Sequence, residues 1–355
     1  MSYKLISAIN IHNGGGLTYL YLLHPFLDSK FNTILFDERA KSKLPIFKKA
    51  KLIFLKKGLF RNMKVFAIRI RNYFIFHSSK VNNNHDTFYT EIYLNGIPPL
   101  FRLFPKGVDI YIFMQNKLIF EKITIKKLTL NNLFVFLNIY ISKILLFIFI
   151  KKTDILIAQT NSMQNILAKN FLKNRNIRQE EIWGAIDQAN FELINRFLKN
   201  NSIPIISKIK KLSNENLIFF YPASLYEHKN HRNLFEAVRL LELNSIKKFK
   251  LILTIKESDL KIFSIKNKSN ILCLGEVDYF DLLGIYKLVD FLIFPSTSES
   301  FGLPLLEAKF NNTKIIASNL EYVYDVCNPT FVFDPNEPRD IFEKLQIVLK
   351  ETKKS

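Results

Sequence analysis

Two glutamates, Glu299 and Glu307, stand eight positions apart in the stretch FPSTSESFGLPLLEA (294–308), among serines, one glycine and one proline. The apolar run FLIF leads in as a strand would, and Pro304 suits the first turn of a helix carrying Glu307. Amides of the intervening loop then face outward beside the positive end of that helix. Carboxylates placed there repel a phosphate, but each can accept hydrogen bonds from two adjacent hydroxyls, as a ribose or a sugar ring offers. Ordinary capping explains the same residues: Ser296 and Glu299 have the S-x-x-E spacing of a capping box, and Glu307 would merely favour the helix dipole. The residues alone leave both readings open.

Two further places could carry chemistry. YPASLYEHKNHRNLFEA (221–237) puts Lys229 at the lip of a strand–loop–helix junction, where a mobile ammonium suits phosphate oxygens. A solvated lysine is the plain alternative. His228 and His231 do not make a metal pair, because no third ligand stands at useful spacing, and the chain has no D-x-D pair. NIHNGGGLTYLYLL (10–23) sets three glycines between an opening strand and a helix, so that amides could approach an anion closely. The spacing is not G-x-G-x-x-G, and a flexible surface turn fits equally.

The elements that would position these residues alternate along the chain. Strand-like runs are KLISAI (4–9), DIYIFM (109–114), DILIAQ (154–159), NLIFFY (216–221), KLILTI (250–255), DFLIFP (290–295) and KIIAS (314–318). Helix-like stretches such as HRNLFEAVRLLEL (231–243) and DLLGIYKLV (281–289) lie between them, the pattern of parallel α/β units. The polar segment 185–215, interrupted by Pro204, reads as a connection between two such sets. A last helix follows within DPNEPRDIFEKLQIVL (334–349).

With 355 residues, two domains are expected, and 48% apolar residues supply their cores. Two cysteines, Cys273 and Cys327, form no disulfide framework or zinc pattern, which suits a reducing compartment. The start MSYKLISAIN lacks the apolar core of a signal peptide, so export is not expected. The net charge of +20 comes mainly from lysines mixed with Asn, Ile and Phe, a pattern of AT-rich codons. No basic helix has base-reading spacing, so an anionic membrane surface is a better partner for this charge than nucleic acid. LFVFLNIYISKILLFIFI (133–150) is apolar almost all round, but Asn138, Ser142 and Lys143 interrupt it. A buried helix of an α/β core is the first expectation, an interfacial helix the second and a membrane span the last.

Glu299–Ser–Phe–Gly–Leu–Pro–Leu–Leu–Glu307 resembles the E-x7-E motif of the retaining GT-B glycosyltransferases of family 4. GEVDYFDLLGIYKLVDFLIFPS (275–296), KIIASNLEYVYDVC (314–327) and FVFDP (331–335) resemble its flanks in order. YPASLYEHKN resembles the phosphate-lysine segment and NGGGLTYL the glycine loop. YLNGIPPLF (93–101), FMQNKLIF (113–120) and DILIAQTNSM (154–163) resemble the first domain of bacterial members that build surface polysaccharides.

This resemblance implies an α/β chain of the GT-B type: two Rossmann-like domains facing across a cleft, with the C-terminal helix returning to the first domain. The expected domains are an acceptor domain over 1–190, a donor domain over 205–335 and a crossover helix over 336–355. It implies transfer of a sugar, with retention, from a nucleotide-sugar donor to a lipid-linked glycan acceptor. The enzyme would need no metal or cofactor and would work in the cytoplasm, peripheral on the inner face of the membrane. Glu307 would hold the ribose hydroxyls, and Glu299 with the amides of Ser300, Phe301, Gly302 and Leu303 the sugar and phosphates. Lys229 would stabilise the leaving diphosphate, and Gly15 and Gly16 would close over it. Two departures stand out. Ala223 and Ser224 occupy the family's Gly-Arg, leaving His228, His231 or Arg232 to replace the cation. Gln115 and Asn116 stand where many members place a histidine near the sugar. A nucleotide-sugar epimerase and a catalytically silent nucleotide-sugar-binding subunit are the alternatives.

Overall fold

The computed structural model describes residues 2–12, 14–58, 60–82, 88–100, 108–120, 130–170, 176–179, 204–244, 248–265 and 267–351. Its contacts divide the chain into two units, Met1–Ala185 and Ile186–Ser355.

In the first unit the strands are β1 (Ser2–Ala8), β2 (Asn32–Asp37), β3 (Lys51–Leu55), β4 (Phe88–Tyr93), β5 (Asp109–Phe113), β6 (Ile155–Ala158) and β7 (Asn176–Gln179). They form one sheet in the order β3-β2-β1-β4-β5-β6-β7, and every pairing is parallel. The helices are α1 (Gly14–Leu27), α2 (Arg61–Asn82), α3 (Leu130–Phe149) and α4 (Asn161–Asn170). Parallel strands need crossovers, and helices over both faces explain why strands such as ILIA (155–158) are apolar at every position.

Strand alternation sorts the helices between the two faces. Ile6, Ala8, Ile92, Ile155 and Ile157 pack with Tyr19, Leu20 and Leu23 of α1. On the opposite face, Leu5 and Tyr89 pack with Val65, Ile68 and Tyr73 of α2. Tyr93, Ile112 and Leu156 pack with Ile139 and Leu146 of α3 and with Met163 and Leu167 of α4. Tyr89 and Tyr93 are four residues apart on one strand and so point the same way, and Val108 packs against both clusters. Helices α2, α3 and α4 therefore cover one face of the sheet. The segment expected as a buried helix is buried on its inner side only: Ile139, Leu146 and Ile150 are covered, while Tyr140, Ile141, Ile144 and Ile148 are exposed. Among the described residues no helix is long and apolar enough to cross a membrane.

The second unit holds β8 (Leu217–Tyr221), β9 (Phe249–Leu253), β10 (Ile271–Cys273), β11 (Phe291–Phe294), β12 (Lys314–Ser318) and β13 (Phe331–Phe333). Their order is β10-β9-β8-β11-β12-β13, again all parallel. Helices α5 (Pro204–Glu215), α6 (His231–Leu243), α7 (Tyr279–Tyr286), α8 (Leu303–Phe310), α9 (Glu321–Tyr324) and α10 (Pro338–Glu351) complete it. The expected 185–215 connection thus ends in a helix: Pro204 opens α5, where a missing N–H costs nothing, while 180–203 lie outside the described residues. Gly284 of α7 lets α5 approach, since a Cβ there would lie 2.9 Å from Ile206 Cδ1. The last helix, α10, packs on α6 and β13 of its own unit.

Among the ion pairs that join α2 to the first sheet, one is almost fully buried. Arg69 Nη2 lies 2.9 Å from Glu91 Oε2 on β4, with both side chains almost fully covered, and the Tyr93 hydroxyl donates to the same oxygen at 2.9 Å. Removing one partner strands a buried charge, at a cost of about 3–5 kcal/mol. Arg69→Leu is therefore expected to lower stability by about that amount in chemical denaturation, and Arg69→Leu/Glu91→Leu by less. Single variants within about 0.5 kcal/mol of wild type would show that water relieves the charge.

Candidate active site

Strand order reverses between β8 and β11, and in open parallel sheets ligands bind beyond the carboxyl ends of strands at such a point. The loops leaving these two strands carry Lys229 and Glu299. The first passes through a short 3₁₀ turn, Glu227–Lys229, and enters α6 at Asn230, whose φ of 59° is left-handed. The second runs from Pro295 to Gly302, whose φ of 85° suits glycine; a Cβ there would also lie 3.0 Å from Leu305 Cδ1. Helix α8 begins at Leu303 with Pro304 in its first turn.

The two loops are tied together. The Tyr221 hydroxyl, at the end of β8, donates to the Lys229 carbonyl at 2.6 Å and lies 3.1 Å from Ser296 Oγ. The Thr297 N–H donates to the His228 carbonyl at 2.8 Å. Asn230 Nδ2 donates to the carbonyls of Pro295 at 3.1 Å and Pro335 at 2.6 Å, and the Tyr322 hydroxyl donates to the Ser296 carbonyl at 2.8 Å. Lys229 Nζ consequently meets Glu299 Oε1 at 2.5 Å, with both side chains mostly covered, and stands 5.9 Å from the centre of the Phe294 ring. An ammonium has three N–H groups, and this contact engages one of them.

Glu307 occupies a different setting. It lies in the second turn of α8, is 2% exposed, and its Oε2 accepts from the Tyr286 hydroxyl at 2.8 Å. Burial pushes its carboxyl up to about 7, and the tyrosine hydrogen bond opposes that shift. The capping reading of this stretch does not hold. The N-cap of α8 is Gly302 without a side-chain cap, so Ser296 and Glu299 lie outside the helix, and no acid occupies its first turn. Ser296 is instead fully buried in the loop contacts above.

Of the three residues nominated to replace the missing arginine, His231 is unsuited. It is 3% exposed, packed 5.0 Å from the Tyr221 ring and beside Phe235 and Phe263, and burial with the nearby Lys229 charge lowers its pKa to about 4. It is neutral at physiological pH. Arg232 is exposed, and His228 is half-buried and stacked on Tyr226. Ser224 is exposed at the loop surface.

Gly15 and Gly16 lie in the first turn of α1 in the other unit, where a Cβ on Gly16 would lie 3.1 Å from Ile11 Cγ2. Gln115 and Asn116 follow β5 and diverge. Asn116 caps the next turn by accepting from Leu118 N–H at 3.1 Å, whereas Gln115 Nε2 is buried with no hydrogen-bond partner among the described residues. Sequence reasoning missed Tyr221, Asn230, Tyr286 and Tyr322. Only Asn230 offered a signal, standing beside Lys229 in HKN.

Residues 202–355, essentially the second unit, match the family described as glycosyl transferases group 1. A search of curated proteins finds no match. Among solved structures, HepE of Anabaena, in complex with UDP and glucose, is similar at a TM-score of 0.60 and 14% identity, over 100% of this chain and 91% of that one. Trehalose-6-phosphate synthase OtsA is similar at 0.62 and 12%, over 99% and 92%. WaaG, a glycosyltransferase involved in lipopolysaccharide biosynthesis, is similar at 0.58 and 15%, over 98% and 90%. These likenesses place both Rossmann-like units in the GT-B fold.

The Glu307 environment yields a test. Its folded pKa of about 7 exceeds the ordinary 4.5, so the folded chain binds more protons between those values and wild-type stability falls as pH rises through that window. Glu307→Gln removes the titration and keeps an acceptor for Tyr286. Between about pH 5 and pH 8 the variant is expected to gain on wild type by up to about 3 kcal/mol in thermal denaturation. Parallel pH profiles would refute the burial of this carboxyl.

Proposed function

We propose that the protein is a glycosyltransferase that moves a sugar, with retention and without a metal ion, from a nucleotide-sugar donor to a lipid-linked glycan acceptor. The observation that carries this reading is the Lys229–Glu299 pair at the switch point of the second sheet, within the residues that match group 1 glycosyl transferases. The ammonium turns its remaining N–H groups to the diphosphate oxygens and stabilises the negative charge that develops as the glycosidic bond to phosphate breaks. Glu299 holds that lysine in place and accepts from hydroxyls of the donor sugar. The backbone amides from Ser300 to Leu303, at the N-terminus of α8, receive phosphate oxygens. Tyr286 takes one oxygen of Glu307, and a ribose hydroxyl is received at the other.

The reading extends to setting. Gly15 and Gly16 offer backbone amides at the start of α1 to an anion, and Gln115 Nε2 donates to a sugar hydroxyl. His228 or Arg232 supplies the second cation in place of the arginine. The protein works at the cytoplasmic face of the membrane in the synthesis of bacterial surface polysaccharide.

A ligand that binds only the folded state raises its stability, so a thermal-shift screen with UDP, GDP, CDP and dTDP sugars identifies the donor. With that donor and a glycan-lipid acceptor, Lys229→Ala and Glu299→Ala are each expected to lower turnover by about 10²-fold or more in a chain that still unfolds cooperatively above the assay temperature. Product formed from the donor alone would instead favour an epimerase. Full turnover in the Lys229→Ala variant would remove the lysine from the reaction.

A further inference from the structure

We infer that the outer face of helices α2 and α3 is a docking surface for an anionic phospholipid bilayer. On α3, Tyr140, Ile141, Ile144 and Ile148 recur at helical spacing and are 53%, 51%, 39% and 66% exposed. Such a stripe fills the side of the helix opposite Ile139, Leu146 and Ile150, which pack on the sheet. On α2, Met63 and Phe74 are 61% and 65% exposed, opposite Val65 and Ile68, which pack inward. Both helices cover the same sheet face, so these side chains project from one side of the first unit. Large apolar side chains exposed together on one side of a unit mark an interaction site.

The charge on this face selects the occupant. Neither α2 nor α3 contains an acidic residue, nor does α4 beside them. Lys64 and Arg71 are exposed on the outer side of α2, and Lys151 and Lys152 are exposed just beyond the end of α3. Apolar side chains bordered by cations, with no carboxylate among them, fit acyl chains below a layer of phosphate headgroups. A helix lying in the interface needs neither the length nor the uniform apolarity of a span, and no described helix has both. The surface is independent of the reaction at the second sheet and uses none of its residues.

Flotation with vesicles tests it. The full chain is expected to float with vesicles of phosphatidylglycerol and phosphatidylcholine, more weakly in high salt, and to stay behind with phosphatidylcholine alone. Moving an isoleucine from water into the acyl boundary changes affinity roughly tenfold or more, and each cation contributes about fivefold. Ile141→Asp/Ile148→Asp and Met63→Asp/Phe74→Asp should each reduce binding at least about tenfold, whereas Ile262→Asp, at an exposed position of the second unit, should not. Donor-induced thermal shift should persist in all three, which separates this proposal from the proposed reaction. A second reading needs no disruptive change: an environment-sensitive fluorophore on Ile144→Cys should shift to the blue with the anionic vesicles, and one on Ile262→Cys should not. Binding that ignores phosphatidylglycerol, or survives both double variants, overturns the proposal. So does a concentration-dependent dimer that these variants dissociate, which would make the face a contact between copies of the chain.

Discussion

One phenolic hydroxyl holds the candidate site together. Tyr221 ends β8 fully buried, and its hydroxyl reaches the Lys229 carbonyl on one loop and Ser296 on the other. Two loops that leave different strands are thereby fixed against each other, and the Lys229–Glu299 contact follows from that spacing. Phe294 and His231 pack around the Tyr221 ring, so the tyrosine itself has little freedom. Fixed charges of this kind need no reorganisation when negative charge develops, which is the condition for electrostatic catalysis.

Much of this was legible in the sequence where the signal is local. All seven strand-like runs appear as strands, and the helix expected over 231–243 has those bounds. Six strands went unnamed, β2, β3, β4, β7, β10 and β13: FYTEIY of β4 interleaves polar with apolar residues, β7 is largely polar, and β10 and β13 have only three residues each. The E-x7-E stretch was visible because its parts are contiguous. The different settings of its two glutamates were not, since Glu307 is buried against Tyr286, a residue of another helix. The histidines show the same limit. HKNH presents His228 and His231 as equals, and only the rings of Tyr221, Phe235 and Phe263 mark His231 as a neutral core residue.

Helix α3 misled in a different way. A helix packed on one side normally alternates apolar and polar residues at its own period, and burial can be read from that alternation. In ISKILLFIFI the isoleucines and phenylalanines stand on both sides, so apolarity cannot say which side the sheet covers. The inward face is set by Tyr93, Ile112 and Leu156, contributed by strands on either side of it in the sequence. An apolar outer side is then surplus to the packing of the unit.

The parallel order of the second sheet also dictates when the site comes into being. Lys229 and Glu299 are 70 positions apart, and the Asn230 side chain bonds a carbonyl 105 positions onward at Pro335. No local segment can assemble these groups, because each contact must close a long loop before it gains any stabilisation. During synthesis the lysine loop keeps its polar groups bonded to water until β11, β12 and β13 have been added. The arrangement of the candidate site therefore arrives late, and a chain truncated before Pro335 keeps the lysine and both glutamates while losing part of the frame around them.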